Sequence, residues 1–228
     1  MEQEMNNITV AIDGPSGAGK STIAELLAKQ FNLYHLDTGA LFRCLALYAW
    51  KNELDISQEA THEAILANAD VKIKIGQNRV YYLLNGEMVD SDLRREEVGN
   101  MASFLSQNPQ MRNFVLDLER QFAKHNNVIM DGRDIGTVVL PQADVKVYLD
   151  ARAEERAARR WRELTAKGVK SDYTQVLNQI NQRDYQDINR PLAPLKQASD
   201  AVYIDSSQME IEEVLSRISH LIQSTKKA

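Results

Sequence analysis

The stretch Gly14-Pro15-Ser16-Gly17-Ala18-Gly19-Lys20-Ser21-Thr22 satisfies the phosphate-loop pattern G-x-x-x-x-G-K-[ST] at every specified position. Ile8-Thr9-Val10-Ala11-Ile12, a short β-branched run, precedes it and reads as a buried strand. Ile23, Leu26, Leu27 and Phe31 follow at helical spacing. A strand, a glycine-rich turn and a helix in that order leave few folds open, because the turn must sit at the carboxyl end of a sheet strand. Glycine permits backbone conformations closed to other residues and a close approach to a ligand. Successive N–H groups then converge on an anion, and the start of the helix adds the positive end of its dipole. Gly14 to Thr22 would bind nucleotide phosphates, with Lys20 reaching the β- and γ-phosphates and the Ser21 hydroxyl ligating Mg²⁺.

The remaining chain fits one large domain, or a domain with an insertion. It has 228 residues, and a hydrophobic content of 43% is enough for a sizeable core. No run approaches the roughly 20 apolar residues needed to cross a bilayer, and Met1-Glu2-Gln3-Glu4 lacks a hydrophobic signal region. The single cysteine, Cys44, permits no internal disulfide, and its apolar helical setting suits a packed thiol. We therefore expect a cytoplasmic protein without a membrane partner. The net charge of −5 argues against nucleic-acid coating, yet Arg152, Arg156, Arg159, Arg160 and Arg162 crowd one segment, which suggests a focused anion site.

Along the chain, the runs 8–12, 33–36, 128–131, 145–150 and 201–205 read as strands separated by helical patterns. His35 is expected to pack within its strand. Leu41, Leu45 and Tyr48 share one helical face, and Ser57 is a candidate cap for a helix reaching about Asn68. Val71 to Ile75 then alternates with period two, Gly76-Gln77-Asn78 turns, Val80 to Leu84 follows, and Asn85-Gly86 is a type I′ hairpin signal leading into Glu87-Met88-Val89. Helices are expected around Glu96 to Ser106 and Gln110 to Lys124, separated by Pro109, and a later one from about Tyr173 to Asn189, stopped by Pro191. Ile211, Val214, Leu215, Ile218 and Leu221 mark a final helix.

The fold expected is α/β: a five-stranded parallel sheet with helices on both faces, a small antiparallel meander-plus-helix insertion and a helical lid. The core would span 1–66 and 127–228, with the lid at about 152–168 and the insertion at 67–126. Ligands bind such sheets at the carboxyl ends of the strands. Arg183, Asp187 and Arg190, spaced i, i+4, i+7, would share one helical face there. That spacing alone fits an exposed ion-pair ladder equally well.

Four motifs make the comparison specific: Ile12 to Lys20; Leu36-Asp37-Thr38-Gly39-Ala40-Leu41-Phe42-Arg43; Asp131-Gly132-Arg133-Asp134-Ile135-Gly136-Thr137-Val138-Val139; and Arg183-Asp184-Tyr185-Gln186-Asp187-Ile188-Asn189-Arg190. Across nearly its whole length the sequence resembles the bacterial-type cytidylate (CMP) kinases of the nucleoside monophosphate kinase superfamily. The resemblance implies a P-loop core, a nucleoside monophosphate-binding insertion and a mobile lid. It implies transfer of the ATP γ-phosphoryl group to CMP or dCMP with Mg²⁺, by a monomer. Arg43, Arg133, Arg183 and Arg190 would hold the acceptor phosphate, and Asp187 the sugar hydroxyls. Thr38, Ser103, Arg112 and Asp134 would surround the nucleotide and its base. Lys20, Arg133, Arg156 and Arg159 would carry the catalytic charge, the last two reaching ATP from the lid.

Asp134 could accept a hydrogen bond from the cytosine amino group, or serve only as the partner of Arg133 or a nearby arginine. Asp131 could hold Mg²⁺ through water, or cap a turn. Thr38 stands where the family often has serine, and Phe42 where it often has tyrosine, so any bond from that hydroxyl is absent. Three other readings stay open. They are a kinase for UMP or another small acceptor, a non-catalytic nucleotide switch, and a nucleic-acid motor, which the acidic balance disfavours.

Overall fold

A computed structural model describes residues 7–77 and 79–225. The acidic start of the chain and Asn78 of the expected 76–78 turn lie outside the described residues. The chain divides into two units. One comprises Ile8–Leu33 with the stretch from Ile129 onward, and the other is Tyr34–Val128 with Asn7.

The first unit contains β1 (Thr9–Asp13) and α1 (Lys20–Phe31). The Tyr34–Val128 unit holds β2 (Tyr34–Asp37), α2 (Thr38–Lys51), α3 (Glu59–Asn68), β3 (Val71–Ile75), β4 (Val80–Leu84), β5 (Glu87–Met88), α4 (Glu96–Leu105) and α5 (Pro109–His125). The chain then continues through β6 (Val128–Gly132), a π-turn at Ile135–Val139, β7 (Val145–Asp150), α6 (Ala153–Ala166), α7 (Tyr173–Asn189), β8 (Val202–Asp205) and α8 (Ile211–Thr225). The fold is a five-stranded parallel sheet of order β2-β6-β1-β7-β8 flanked by helices, with a separate antiparallel sheet β3-β4-β5. Among the described residues no helix is long and apolar enough to cross a membrane.

The central strands are β-branched and buried on both faces, as a covered parallel sheet requires. Val10 and Ile12 of β1, Ile129 of β6, Val147 and Leu149 of β7 and Ile204 of β8 pack with Ile23, Ala24 and Leu27 of α1 and with Val214, Ile218 and Ile222 of α8. Leu26 and Ile211, expected on these stripes, are exposed, and Ala24 and Ile222 fill the corresponding core positions.

In the other unit α2 packs along α4, burying Leu41, Cys44, Leu45, Val98 and Leu105, while Tyr48 is half-buried. Burial pushes the Cys44 thiol up to about 12, so it is an inert core group. His35 is half-buried within β2. Asn85 (φ 51°) and Gly86 (φ 85°) both adopt left-handed conformations, as the type I′ hairpin requires, and Leu84 pairs with Glu87 across it.

Two expected helix boundaries are corrected. Ser57 does not cap α3: Asp55 accepts both its N–H (3.0 Å) and its hydroxyl (2.7 Å), and the helix starts at Glu59. Pro109 opens α5 at its first position, where its missing N–H costs nothing, and Asn108 caps the helix by accepting from the Gln110 and Met111 N–H groups.

The turn after β1 depends on Gly14 (φ 150°): a Cβ there would overlap the Leu149 carbonyl oxygen of β7. Because that neighbour is backbone in the central sheet, relief requires moving a strand. Gly14→Ala should lower the unfolding free energy by about 2–4 kcal/mol, measured by urea denaturation. A loss below about 0.5 kcal/mol, the level of an ordinary surface change, would show that the turn is not fixed this way.

Candidate active site

Lys20 lies at the first position of α1, following Gly19 in a left-handed conformation (φ 90°). Its side chain is buried, and Nζ donates to the Pro15 carbonyl oxygen at 2.7 Å, folding back across its own loop. Burial pushes its amine down to about 7, with Arg133 and Arg183 lowering it further and Asp131 and Asp13 opposing them. Burial is the largest of these causes, and the two arginines and two aspartates act in opposite directions.

The carboxylate of Asp13 ties the ends of two strands together. It accepts from the N–H groups of Ile135 and Gly136, both at 2.7 Å. The π-turn begins there, with Leu140 N–H bonding back to the Ile135 carbonyl oxygen at 2.7 Å. The fit at Gly136 is close: a Cβ would lie 3.3 Å from Asp13 Oδ2 and 3.2 Å from the Lys146 side chain. Desolvation raises Asp13 to about 6 despite those two bonds. The G-R-D-x-G-T segment is thus anchored to the residue just before the glycine loop. No sequence signal gave Asp13 this role, because its partners lie more than a hundred residues away.

Three arginine–carboxylate pairs hold α7 in place. Arg133 Nε donates to Asp187 at 2.6 Å, Arg190 Nη2 to Asp134 at 3.0 Å, and Arg156 Nη2 to Asp184 at 2.6 Å. Both partners are largely buried in each pair. Of the two readings open for Asp134, its pairing with Arg190 is present, and Arg133 pairs with Asp187 instead.

Arg190 stands one residue past the last turn of α7, its φ of −63° keeping it in helical sequence with Arg183 and Asp187. α7 ends at Asn189, and Arg190 is extended (ψ 140°), as the residue before Pro191 must be. Arg183 is exposed on α7. Arg156 is buried and spends its donors on Ala151, Ser16 and Asp184, and Arg159 donates to the Ser206 carbonyl oxygen at 2.6 Å.

Ser21 Oγ donates to Asp131 Oδ2 at 2.7 Å, so the two expected metal-site residues are adjacent. A hydroxyl and a carboxylate offer only hard oxygen, the donor type that Mg²⁺ takes. Among the described residues no group of three or more His, Cys, Asp or Glu forms a metal site.

Within the Tyr34–Val128 unit, Thr38 is buried at the first position of α2, and Arg43 Nη1 pairs with Asp37 at 3.3 Å. Ser103 is half-buried on α4. Arg112 donates to the Ser106 carbonyl oxygen at 3.1 Å and lies 5.9 Å above the Phe42 ring. Phe42 therefore keeps an aromatic face for a cation where the hydroxyl is missing.

Tyr82 of β4 is a residue that sequence reading missed. Its hydroxyl accepts from Asp37 N–H at 2.9 Å and donates to the Asp37 carbonyl oxygen at 3.1 Å, which clamps the entry to α2. Only its burial on an alternating strand was legible.

An arriving phosphate would restore the ammonium form of Lys20. At pH 8.5, MgATP binding should therefore take up about one proton, read by calorimetry in buffers of different ionisation enthalpy. Uptake near zero would show that Lys20 already binds as the cation.

The sequence model of the cytidylate kinase family matches residues 10–224. The chain is 44% identical to a cytidylate kinase of Caldicellulosiruptor bescii, over 98% of this chain and 99% of that protein. It is 46% identical to one of Aeromonas hydrophila, over 90% of each. Its fold is similar to that of an uncharacterized protein from Eubacterium ventriosum (TM-score 0.50, 12% identity, 96% of this chain and 99% of that one), which speaks to the fold alone. A match that runs through the glycine loop, the π-turn segment and α7 places this chain in the cytidylate kinase family.

Proposed function

We propose that the protein transfers the γ-phosphoryl group of ATP to CMP or dCMP, giving ADP and CDP or dCDP. The observation that carries this is Lys20: a buried amine following the glycine loop and folded back onto the Pro15 carbonyl oxygen, its charged form disfavoured first by burial and then by Arg133 and Arg183. The relatives carry the cytidylate kinase name over nearly the full length, which supports the acceptor.

The chemistry asks little covalent work of the protein. A phosphate oxygen of CMP, ionised at neutral pH, forms the new P–O bond as the β–γ bridging bond breaks and ADP leaves. No strong general base is needed, so catalysis is in-line positioning and charge neutralisation. Lys20 and the loop N–H groups hold the ATP phosphates. Arg133, Arg183, Arg190 and Arg43 hold the acceptor phosphate, where arginine's planar fork gives bidentate contact. Ser21 and Asp131 would hold Mg²⁺, which supplies further neutralisation of the phosphate charge.

Arg133 and Asp187 pair with each other at 2.6 Å. CMP would separate them, its phosphate taking the arginine and its sugar hydroxyls the carboxylate, so neither group is left buried and unpaired. Thr38, Ser103 and Arg112 contact the nucleotide and its base. Residues 67–126 act as the acceptor-binding insertion and 152–168 as the lid, whose closure with Arg159 excludes water as a competing acceptor.

Asp134 selects cytosine. It accepts from the exocyclic amino group, where uracil would present another acceptor. Steady-state turnover on CMP, dCMP, UMP and AMP tests the acceptor class. CMP or dCMP should lead, and faster turnover of UMP would overturn the assignment. Asp134→Asn separates the two roles of that carboxylate. If it reads the base, kcat/KM for CMP falls about 100-fold and the CMP/UMP ratio narrows. If it only braces Arg190, CMP and UMP fall in parallel and the ratio holds.

A further inference from the structure

Arg156 is buried and holds three separate segments of the chain. Nε donates to the Ala151 carbonyl oxygen at 2.7 Å, Nη1 to the Ser16 carbonyl oxygen at 2.8 Å and Nη2 to Asp184 Oδ2 at 2.6 Å. It therefore joins the start of α6, the glycine loop and α7. The bond to Ser16 fixes more than a carbonyl. In a planar trans peptide the C=O and the next N–H point in opposite directions. Holding the Ser16 oxygen toward Arg156 turns the Gly17 N–H away from it. An anion-binding loop needs its N–H groups on the concave side, and hence its carbonyls drawn outward. Contact is tight here: a Cβ on Gly17 (φ 79°) would lie 3.2 Å from Arg156 Cβ.

A buried guanidinium must itself be neutralised, and among its hydrogen bonds only the one to Asp184 supplies negative charge. Asp184 Oδ1 is buried with no hydrogen-bond partner, so this carboxylate is committed to Arg156 by its other oxygen alone. We infer that Asp184 is a positioning residue for the phosphate loop: acting through Arg156, it holds the Ser16–Gly17 peptide in the orientation that presents an N–H to the donor nucleotide. The inference rests on the reading of the glycine loop as the ATP site. It is independent of which acceptor is used, so loss of the cytosine assignment leaves it standing.

Asp184 neighbours Arg183, which is assigned to the acceptor, so the test must separate the two nucleotides. MgADP and CMP affinities are measured by calorimetry on Asp184→Ala and Asp184→Asn, with thermal unfolding as a check on folding. For Asp184→Ala, MgADP affinity should fall at least about tenfold, as expected for one lost charge-assisted hydrogen bond, while CMP affinity stays within about twofold. Asp184→Asn retains an acceptor oxygen for Arg156 and should show a smaller loss of about threefold, again confined to MgADP. Equal weakening of both nucleotides, or of neither, overturns the inference. If Asp184→Ala does not fold, the Asn variant decides by the same contrast.

Discussion

A lysine amine held out of water at the head of α1 is the constraint on which the site depends. Lys20 is buried, and burial with neighbouring Arg133 and Arg183 pushes its amine down to about 7. Burying an amine in this way costs stability, and an anion brought beside it would offset that cost.

The arginines are kept usable by pairing. Arg133, Arg190 and Arg156 each meet a carboxylate on or beside α7, or hold one to it, at 2.6–3.0 Å. An unpaired buried arginine would be costly and would sample many rotamers. A paired one is fixed in place. The pairs differ in what they face. Asp184 joins an arginine that also holds the Ser16 carbonyl oxygen of the glycine loop, whereas Asp187 joins one just past the end of β6. Asp13 supplies the frame for both by tying β1 to the π-turn through two backbone bonds.

Much of this was legible in the sequence because it is local. The glycine pattern, the Asn85-Gly86 hairpin and the α7 boundaries follow from residue types at short spacing, and strand–helix alternation gave the sheet. What stayed hidden is long-range. Asp13 and Asp184 lie inside recognised motifs yet had no assigned role, since their partners come from distant segments. Tyr82 read as one more strand aromatic until its hydroxyl was seen on both backbone groups of Asp37.

A crystal structure with CMP and a non-hydrolysable ATP analogue tests the central claim most directly. The account predicts that Lys20 Nζ leaves the Pro15 oxygen for a β- or γ-phosphate oxygen of the analogue. It also predicts that Arg133 parts from Asp187 to contact the CMP phosphate. If Lys20 keeps its bond to Pro15 and Arg133 its bond to Asp187 with both nucleotides bound, the buried lysine does not serve the donor phosphates and the assignment is wrong.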